Sequence, residues 1–512
     1  MPTEEELIFQ RRKKRDLLRH SKYEAYPPRV WRGRINCSVA VARFESAERR
    51  SSLIDEGMMS QHVTLAGRVL AIRNMGSRAF VDVRDGTAKV QLNLGREAVF
   101  SDTKRPSQKA KWQSEVGIGL NVLDVGDFVQ AYGRLFRTRL GEVTLQVESW
   151  GLLTKTLRPL PDKWHGISDV ETRYRQRYLD LIANERSREI ALLRTKVLAA
   201  VRLFYIKRDF IEVETPVLQD EAGGAAARPF ITHHNALDRD FFLRISLELH
   251  LKRLLVGGFD KVFEIGRVFR NEGIDRRHNP EFSLLESYEA YTDYLHVAKM
   301  VEDLYRFVAM QVRGTLQIPF GEEIIDLGVP WARITYRDAL RKYAGFTYSE
   351  STTVDDLRGI AAGHRIATEA SDSKDTILDK LMSELVEPQL IQPTFLLDYP
   401  SELSPLAKKK PGFPDTAERF ELFVLGYEMA NAYSEQNDPD TQRLSMLDQA
   451  FKAAEGDEEV EIADEDFLTA LEYGMPPAGG LGFGIERMVM LMAGEPSIRE
   501  VILFPAMRDN QR

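Results

Sequence analysis

The stretch Phe263–Tyr288, FEIGRVFRNEGIDRRHNPEFSLLESY, constrains this chain more than any other. Two alternating runs flank a polar loop holding Asn271, Gly273, Asp275, Asn279 and Pro280, so the segment reads as an antiparallel hairpin. On a period of two, Arg270 and Glu272 share one face of the first strand, and Phe282, Leu284, Glu286 and Tyr288 share one face of the second. Charge therefore sits where a core strand should be apolar. An arginine, carboxylates, an aromatic ring and a phenol facing one space suit an amphiphilic, phosphate-bearing ligand. The alternative is a buried ion-pair network in an ordinary sheet.

Composition bounds what surrounds the hairpin. At 512 residues the chain is too long for one core, so two or three domains are expected, and 43% apolar with 29% charged residues implies a globular protein. A single cysteine, Cys37, excludes an internal disulfide framework and fits a reducing compartment. The N-terminus MPTEEELIFQRRKK lacks a secretory apolar region, and no apolar run reaches spanning length, so a cytoplasmic protein without a membrane partner is expected. A net charge of −8 argues against a general nucleic-acid coat, yet leaves room for a local basic surface that holds one structured RNA.

Taken in order, residues 1–55 form a basic extension whose run Arg11–Arg15 reads as a solvated helical face rather than an RNA contact. Residues 56–153 change to five short alternating strands with Gly-bearing turns, which suit a small OB-type barrel. With Val81 and Val83 inward, Phe80 faces out beside Asp82 and Arg84; with Val90, Leu92 and Leu94 inward, Gln91 faces out. An outward aromatic among polar groups can hold single-stranded bases by stacking and edge hydrogen bonds. Glu97–Gly119 reads as a surface insertion, and the proline-bearing segment 154–184 as an inter-domain linker.

In residues 185–512 a helix is expected from about Ser187, with Ile190, Leu193, Val197, Val201 and Phe204 on one stripe, followed by the strand FIEVETPVLQ. A second amphipathic helix covers Asp293–Gly314, and residues 336–392 look helical and polar. In RFELFVLGYEMANAYSEQND, Asn431, Tyr433 and Glu435 share a face, while Gly426 is expected to bend the chain so that Glu421 and Glu428 converge. Two convergent carboxylates near phosphates are what a magnesium ion needs. GLGFG near residue 481 lacks the βαβ unit and spaced acid of a dinucleotide-binding turn.

The pattern FRNEG…HNPEF…E resembles motif 2 of the class II aminoacyl-tRNA synthetases, in the form carried by lysyl-tRNA synthetases. TKTLRPLPDKWHGISDVETRYRQRYLDLI resembles that family's connector, the helix and strand ending near Pro216 resemble motif 1, and GGLGFGIERMVML resembles motif 3. The likeness runs from about Tyr26 to Arg508. It implies an α+β chain, with an OB-fold anticodon-binding barrel before a catalytic antiparallel sheet flanked by helices. The 336–392 segment would be the insertion between motifs 2 and 3. The implied reaction activates L-lysine with ATP to lysyl-adenylate and passes lysine to the 3′ end of lysine tRNA.

The resemblance also implies roles. Arg270 and Arg487 would be catalytic, and Arg270, Glu272, His278, Asn279, Phe282, Glu421 and Arg487 would bind ATP. Glu421 and Glu428 would hold Mg2+. Gly224, Glu248, Arg270, Glu286, Tyr288, Asn431, Tyr433 and Glu435 would bind lysine, and Phe80, Gln91 and Glu142 the anticodon. Motif 1 implies a homodimer. The chain departs from the family pattern at Leu247, commonly Pro, at His250, commonly Tyr, and at Tyr433, often Phe. The rival readings are a lysyl-transferring paralogue acting on a protein or lipid, and a non-catalytic tRNA-binding homologue; an aspartyl or asparaginyl specificity conflicts with an acidic pocket.

Overall fold

Period-two alternation becomes a closed barrel over residues 62–154. A computed structural model describes residues 2–50, 60–76, 78–95, 97–102, 119–161, 167, 169–221, 223–225, 227–349, 351–454 and 464–508. The chain splits into two compact units, Met1–Gly166 and Ile167–Arg512. In the first, β1 (His62–Met75), β2 (Arg78–Arg84), β3 (Lys89–Leu94), β4 (Val99–Phe100), β5 (Phe128–Arg137) and β6 (Val143–Thr154) run in the order β3-β2-β1-β5-β6-β4. β3 also pairs in parallel with β6 through Gln91–Thr144, Leu92–Leu145 and Asn93–Gln146. That closure removes the strand edges at which another chain could add. Ala79, Val81, Val83, Val90, Leu92 and Leu94 fill the interior, while Phe80 on the opposite face is half-buried.

Two expectations fail in this unit. The stretch Glu97–Gly119 begins as barrel, not as surface insertion: β4 pairs with Ser149 and Trp150, and the Phe100 ring lies 4.7 Å from Trp150 and 4.9 Å from Tyr23. Residues 103–118 of that stretch lie outside the described residues. Nor is the N-terminal extension a solvated face. Helix α1 (Glu4–His20), closed by a Thr3–Glu6 capping box, and helix α2 (Cys37–Arg50) bring Leu18, Cys37, Ala40 and Phe44 into the barrel core. Arg11 is buried with them, donating to Thr156 Oγ1, Arg158 O and Val125 O at 3.0 Å each. Lys14 pairs with Asp124 at 2.6 Å. The basic run misled because its inward-facing charges meet carbonyls and carboxylates instead of water. The Cys37 thiol is pushed up to about 12 by burial and by Asp85, which leaves it unreactive.

In the second unit, α3 (Glu185–Ile206) leads to β7 (Ile211–Glu212), then α4 (Glu248–Val256), β8 (Lys261–Phe269), β9 (Glu281–Ala290) and α5 (Tyr294–Arg313). Further on come β10 (Ala332–Thr335), β11 (Thr394–Leu397), β12 (Arg419–Val424), β13 (Tyr427–Ser434), β14 (Ala478–Gly484) and α6 (Ile485–Ala493). Among the described residues these strands form one eight-stranded sheet, β10-β11-β12-β13-β14-β9-β8-β7, antiparallel except at its two outer pairs. One face is apolar: Phe263, Leu285, Phe420, Leu422, Ala432, Leu481 and Phe483 pack with Ile190, Val197, Val201, Phe204, Val297, Val301 and Leu304 of α3 and α5. The 336–392 segment is helical as expected, and its Leu340, Leu357, Ile377, Leu378 and Leu381 make a separate core.

The other sheet face carries the charge. β8 ends at Phe269, so Arg270 and Glu272, expected on a strand face, lie in the loop beyond it, where the Arg270 amide donates to Pro280 O. FIEVETPVLQ is not one strand but two short ones, Ile211–Glu212 in the large sheet and Leu218–Gln219 in a separate one, because Pro216 has no amide to donate and Thr215 bonds sideways to Glu264. No described helix is long and apolar enough to cross a membrane. Replacing Arg11 with Ala should cost the first unit about 2 kcal/mol by stranding its acceptors. Urea unfolding of the full chain, followed by Trp31 and Trp150 fluorescence, measures this.

Candidate active site

Alternation along β9, β12 and β13 that sends Leu285, Phe420, Leu422 and Ala432 into the helix-covered core sends Phe282, Glu286, Tyr288, Glu421, Asn431 and Tyr433 the other way. They line a cavity of about 740 Å³, closed at its rim by the loop after β8 and by the 336–392 helices. Arg270, Glu272, His278, Asn279, Arg487, Glu428, Glu248 and Gly224 share its wall. Glu435 alone of the expected catalytic-unit residues does not reach the wall; its carboxylate packs against Gly480 and the ring of Tyr288. A Cβ on Gly480 would come within 1.8 Å of Glu435 Oε1, so only glycine leaves the space that carboxylate occupies.

One end of the cavity is cationic and aromatic. The Arg270 guanidinium lies 5.3 Å from the Phe282 ring centroid, and its Nε donates weakly to Ile245 O at 3.4 Å. His278 is exposed and bonded to Asp275 at 2.9 Å. Asn279 is buried and committed on both sides, its amide donating to Glu281 O and its carbonyl accepting from the Ala506 amide. It shapes the loop as much as it faces the cavity.

Glu421 and Glu428 do converge, but not through Gly426. The turn Leu425–Gly426 has positive φ at both residues, 57° and 70°, the geometry of a tight hairpin. The parity change lies further along: Leu422 pairs with Ala430 and Phe423 with Glu428, so Met429 is an extra residue in β13. This bulge puts Glu428 and Asn431, three apart, on the same face as Glu421. Glu421 accepts from Tyr399 at 2.7 Å and Arg419 at 2.6 Å, and Arg487 Nη1 donates to Glu428 Oε2 at 3.1 Å. Burial raises the Glu421 pKa against the pull of Arg419, and the Glu428 charge adds to the rise.

The opposite end is a dense set of carboxylates. Glu286 accepts from Ser246 Oγ at 2.8 Å, the Leu247 amide at 3.0 Å and the Tyr288 hydroxyl at 3.1 Å. Burial, then the neighbouring Glu248, pushes Glu286 up to about 7. Burial pushes Glu435 up to about 8 even though Lys252 opposes it. Gly224, at φ 85°, lies close enough to Ser246 and Glu248 that a side chain there would crowd both. The Asn431 carbonyl oxygen and both Glu435 oxygens are buried without a well-directed donor, although Lys252 stands 2.5 Å from Glu435 Oε2. Acceptors so enclosed mark a place built for a cationic donor.

In the first unit, Gln91 Nε2 donates to Glu142 Oε2 at 3.0 Å and its carbonyl accepts from Thr144. Phe80 lies across from Asn93, whose Oδ1 is buried without a donor. Phe80, Gln91 and Asn93 therefore share the face turned away from the barrel core, where Phe80 is half-buried and Gln91 and Asn93 are 6% and 3% exposed.

Other cavity residues were invisible in the sequence. Arg419 and Tyr399 hold Glu421, and Arg419 stands only two residues before it. Asp379 and Glu387 reach the wall from the 336–392 helices, which carried no readable chemistry. Burial, with Glu421, Asp379 and Glu428 nearby, pushes Glu387 up to about 7. Leu247 supplies Glu286 with an amide that a proline at this position would lack. Leu247→Pro should therefore raise the Glu286 pKa further, by about one unit. Infrared titration of the protonated carboxyl band, with Glu286→Gln as reference, checks the shift.

The family comparisons agree with this architecture. Residues 169–508 match the family model described as tRNA synthetases class II (D, K and N), and residues 63–153 match an OB-fold nucleic acid binding domain. The lysine–tRNA ligase of Moorella thermoacetica is 49% identical over 451 residues, 88% of this chain and 90% of that protein. That of Thermoanaerobacter pseudethanolicus is 46% identical over 505 residues, 98% of this chain and 96% of that protein. A lysine–tRNA ligase from Salmonella paratyphi B is 48% identical over 451 residues, covering 87% and 86%. With a barrel of this topology preceding an antiparallel sheet that carries one charged face, the chain belongs to the class II tRNA synthetases of the D, K and N group.

Proposed function

We infer that this protein is a lysine–tRNA ligase. One observation carries the inference: the buried carboxylates Glu248 and Glu286, with Glu435 next to them behind the wall, line a cavity that also presents Arg270, Phe282 and Arg487. An anionic end suits the two ammonium groups of lysine, and a cationic, aromatic end suits a nucleotide. A carboxylate or amide side chain would face like charge there.

The lysine carboxylate is itself the nucleophile, so the first step needs alignment and charge balance more than a protein acid or base. The carboxylate oxygen attacks the α-phosphorus of ATP, and pyrophosphate leaves with the electron pair of the broken bond. Arg270 bridges the carboxylate and the α-phosphate, a task suited to a planar cation with several donors. Phe282 stacks adenine, Glu272, His278 and Asn279 orient the nucleotide, and Arg487 clamps its far side. Glu286 and Gly224 receive the α-amino group, Asn431 the carboxylate, Tyr433 the methylenes, and Glu248, Glu435 and Tyr288 the ε-ammonium. The ribose hydroxyl at the tRNA 3′ end then takes the lysyl group, and AMP leaves.

Magnesium fits the residues present. Glu421 and Glu428 face one cavity as oxygen donors, and no described group of three or more His, Cys, Asp or Glu is placed to hold a metal by itself, so phosphate oxygens would complete the shell. Bound there, the ion would offset repulsion between carboxylate and triphosphate. We assign residues 56–153 as the anticodon-binding barrel, with Phe80, Gln91 and Glu142 at the bases. Residues 1–55 are its N-terminal extension, with described helices at Glu4–His20 and Cys37–Arg50, 154–184 a linker, and 185–512 the catalytic domain. Exposed Ile206, Ile211, Val217 and Leu218 at the motif 1 region support a homodimer, and the chemistry of the substrates supports a cytoplasmic enzyme.

ATP–pyrophosphate exchange tests the reading: it should depend on lysine and be unsupported by arginine, aspartate or asparagine. Exchange independent of lysine would overturn it. The raised Glu286 carboxyl adds a pH dependence. Glu286 stays neutral below its pKa of about 7, whereas ammonium binding needs it ionised. The KM for lysine should thus rise as pH falls below about 7, by up to about tenfold per unit.

A further inference from the structure

The ammonium of Lys252 already occupies the space between Glu248 and Glu435, 2.5 Å from Glu248 Oε1 and 2.5 Å from Glu435 Oε2. Lys252 is fully buried, and Glu248 and Glu435 are 3% and 1% exposed. It lies one helical turn after Glu248 on α4, so the helix that presents one anion also delivers its counter-ion. Its ammonium is about as far from the rings of Tyr288 and Phe467, 6.0 Å each, and Lys252 itself is not on the cavity wall. Burial alone would strip its proton, but Glu248 and Glu435 outweigh burial and hold its pKa above the ordinary lysine range. Tyr288, Tyr433 and Glu286 also face this cluster, and none of them is a cation.

Two carboxylates and one resident ammonium leave one negative charge to be matched. We propose that Lys252 is a positioning residue that sets the net charge of the ε-ammonium pocket to minus one, so that the pocket accepts one additional ammonium and no more. The proposal rests on the lysine reading above and deepens it. Without Lys252, two buried carboxylates would face each other and one would take up a proton. Without Glu435, Lys252 would neutralise Glu248 and leave no anion for the substrate. Residue and substrate thus compete for one pool of negative charge, and the resident cation takes only half of it. A purely structural ion pair would instead leave lysine recognition indifferent to this count.

The count predicts that removing a cation repairs the loss of an anion. In lysine-dependent ATP–pyrophosphate exchange, Glu435→Gln should raise the KM for lysine by about a hundredfold, with the KM for ATP unchanged within about twofold. Adding Lys252→Met should lower the lysine KM again by at least about tenfold, because Glu248 is then free to pair with substrate. The double variant leaves one buried carboxylate, Glu248, in place of the two that Lys252→Met alone would set against each other, so the test does not need Lys252→Met to fold alone; Lys252→Arg, which keeps the charge, should retain the lysine KM. A double variant whose lysine KM is no better than that of Glu435→Gln would overturn the proposal, as would a Glu435→Gln enzyme with an unaltered lysine KM. Absence of lysine dependence in the unaltered enzyme would instead overturn the substrate reading itself.

Discussion

A sheet with one greasy face and one charged face is stable only when every buried charge on it has a partner, and that requirement organises the second unit. Glu286 is met by a hydroxyl, an amide and a phenol, Glu421 by Arg419 and Tyr399, Glu428 by Arg487, and Glu248 with Glu435 by Lys252. Breaking one buried pair costs several kcal/mol, far more than the pair contributes when intact, so these partners are as necessary to the fold as to the chemistry. The helices α3, α5 and α6 supply the compensating apolar burial on the opposite face.

The two ends of the cavity use the same physics in opposite senses. Low dielectric raises carboxyl pKa values at one end, storing an affinity for ammonium that bulk water would screen. At the other end Arg270 and Arg487 present planar groups with several donors, which suits triphosphate. A substrate bearing cations on one side and a carboxylate on the other is aligned by this gradient before any bond changes. The absence of a nucleophilic side chain in the proposed mechanism follows from the substrate bringing its own.

What alternation could reach was legible in the sequence. The hairpin, the stripes of α3 and α5, the outward Phe80 and Gln91, and the shared face of Asn431 and Tyr433 all follow from a period of 2 or 3.6. Three things were not. Arg270 left its strand one residue early, since strand ends depend on which carbonyls find amides across the sheet. Within the basic N-terminal run Arg11 became interior while Arg12 and Lys13 stayed exposed, because the partners of Arg11, namely Val125, Thr156 and Arg158, lie more than a hundred residues away. Lys252 carries no pattern of its own, and only the return of the chain at Glu435, 183 positions later, shows what it faces.

The additional residue at Met429 reaches beyond the two carboxylates it aligns. Because side-chain direction along β13 is counted from that point, losing one residue there would rotate Tyr427 and Glu428 to opposite sides and carry an ionised group into the packing of α5 and α6. Chain length in this hairpin is therefore free to change by pairs but not singly. Arithmetic parity, as well as residue type, thus fixes which side chains an irregular strand can turn toward one cavity.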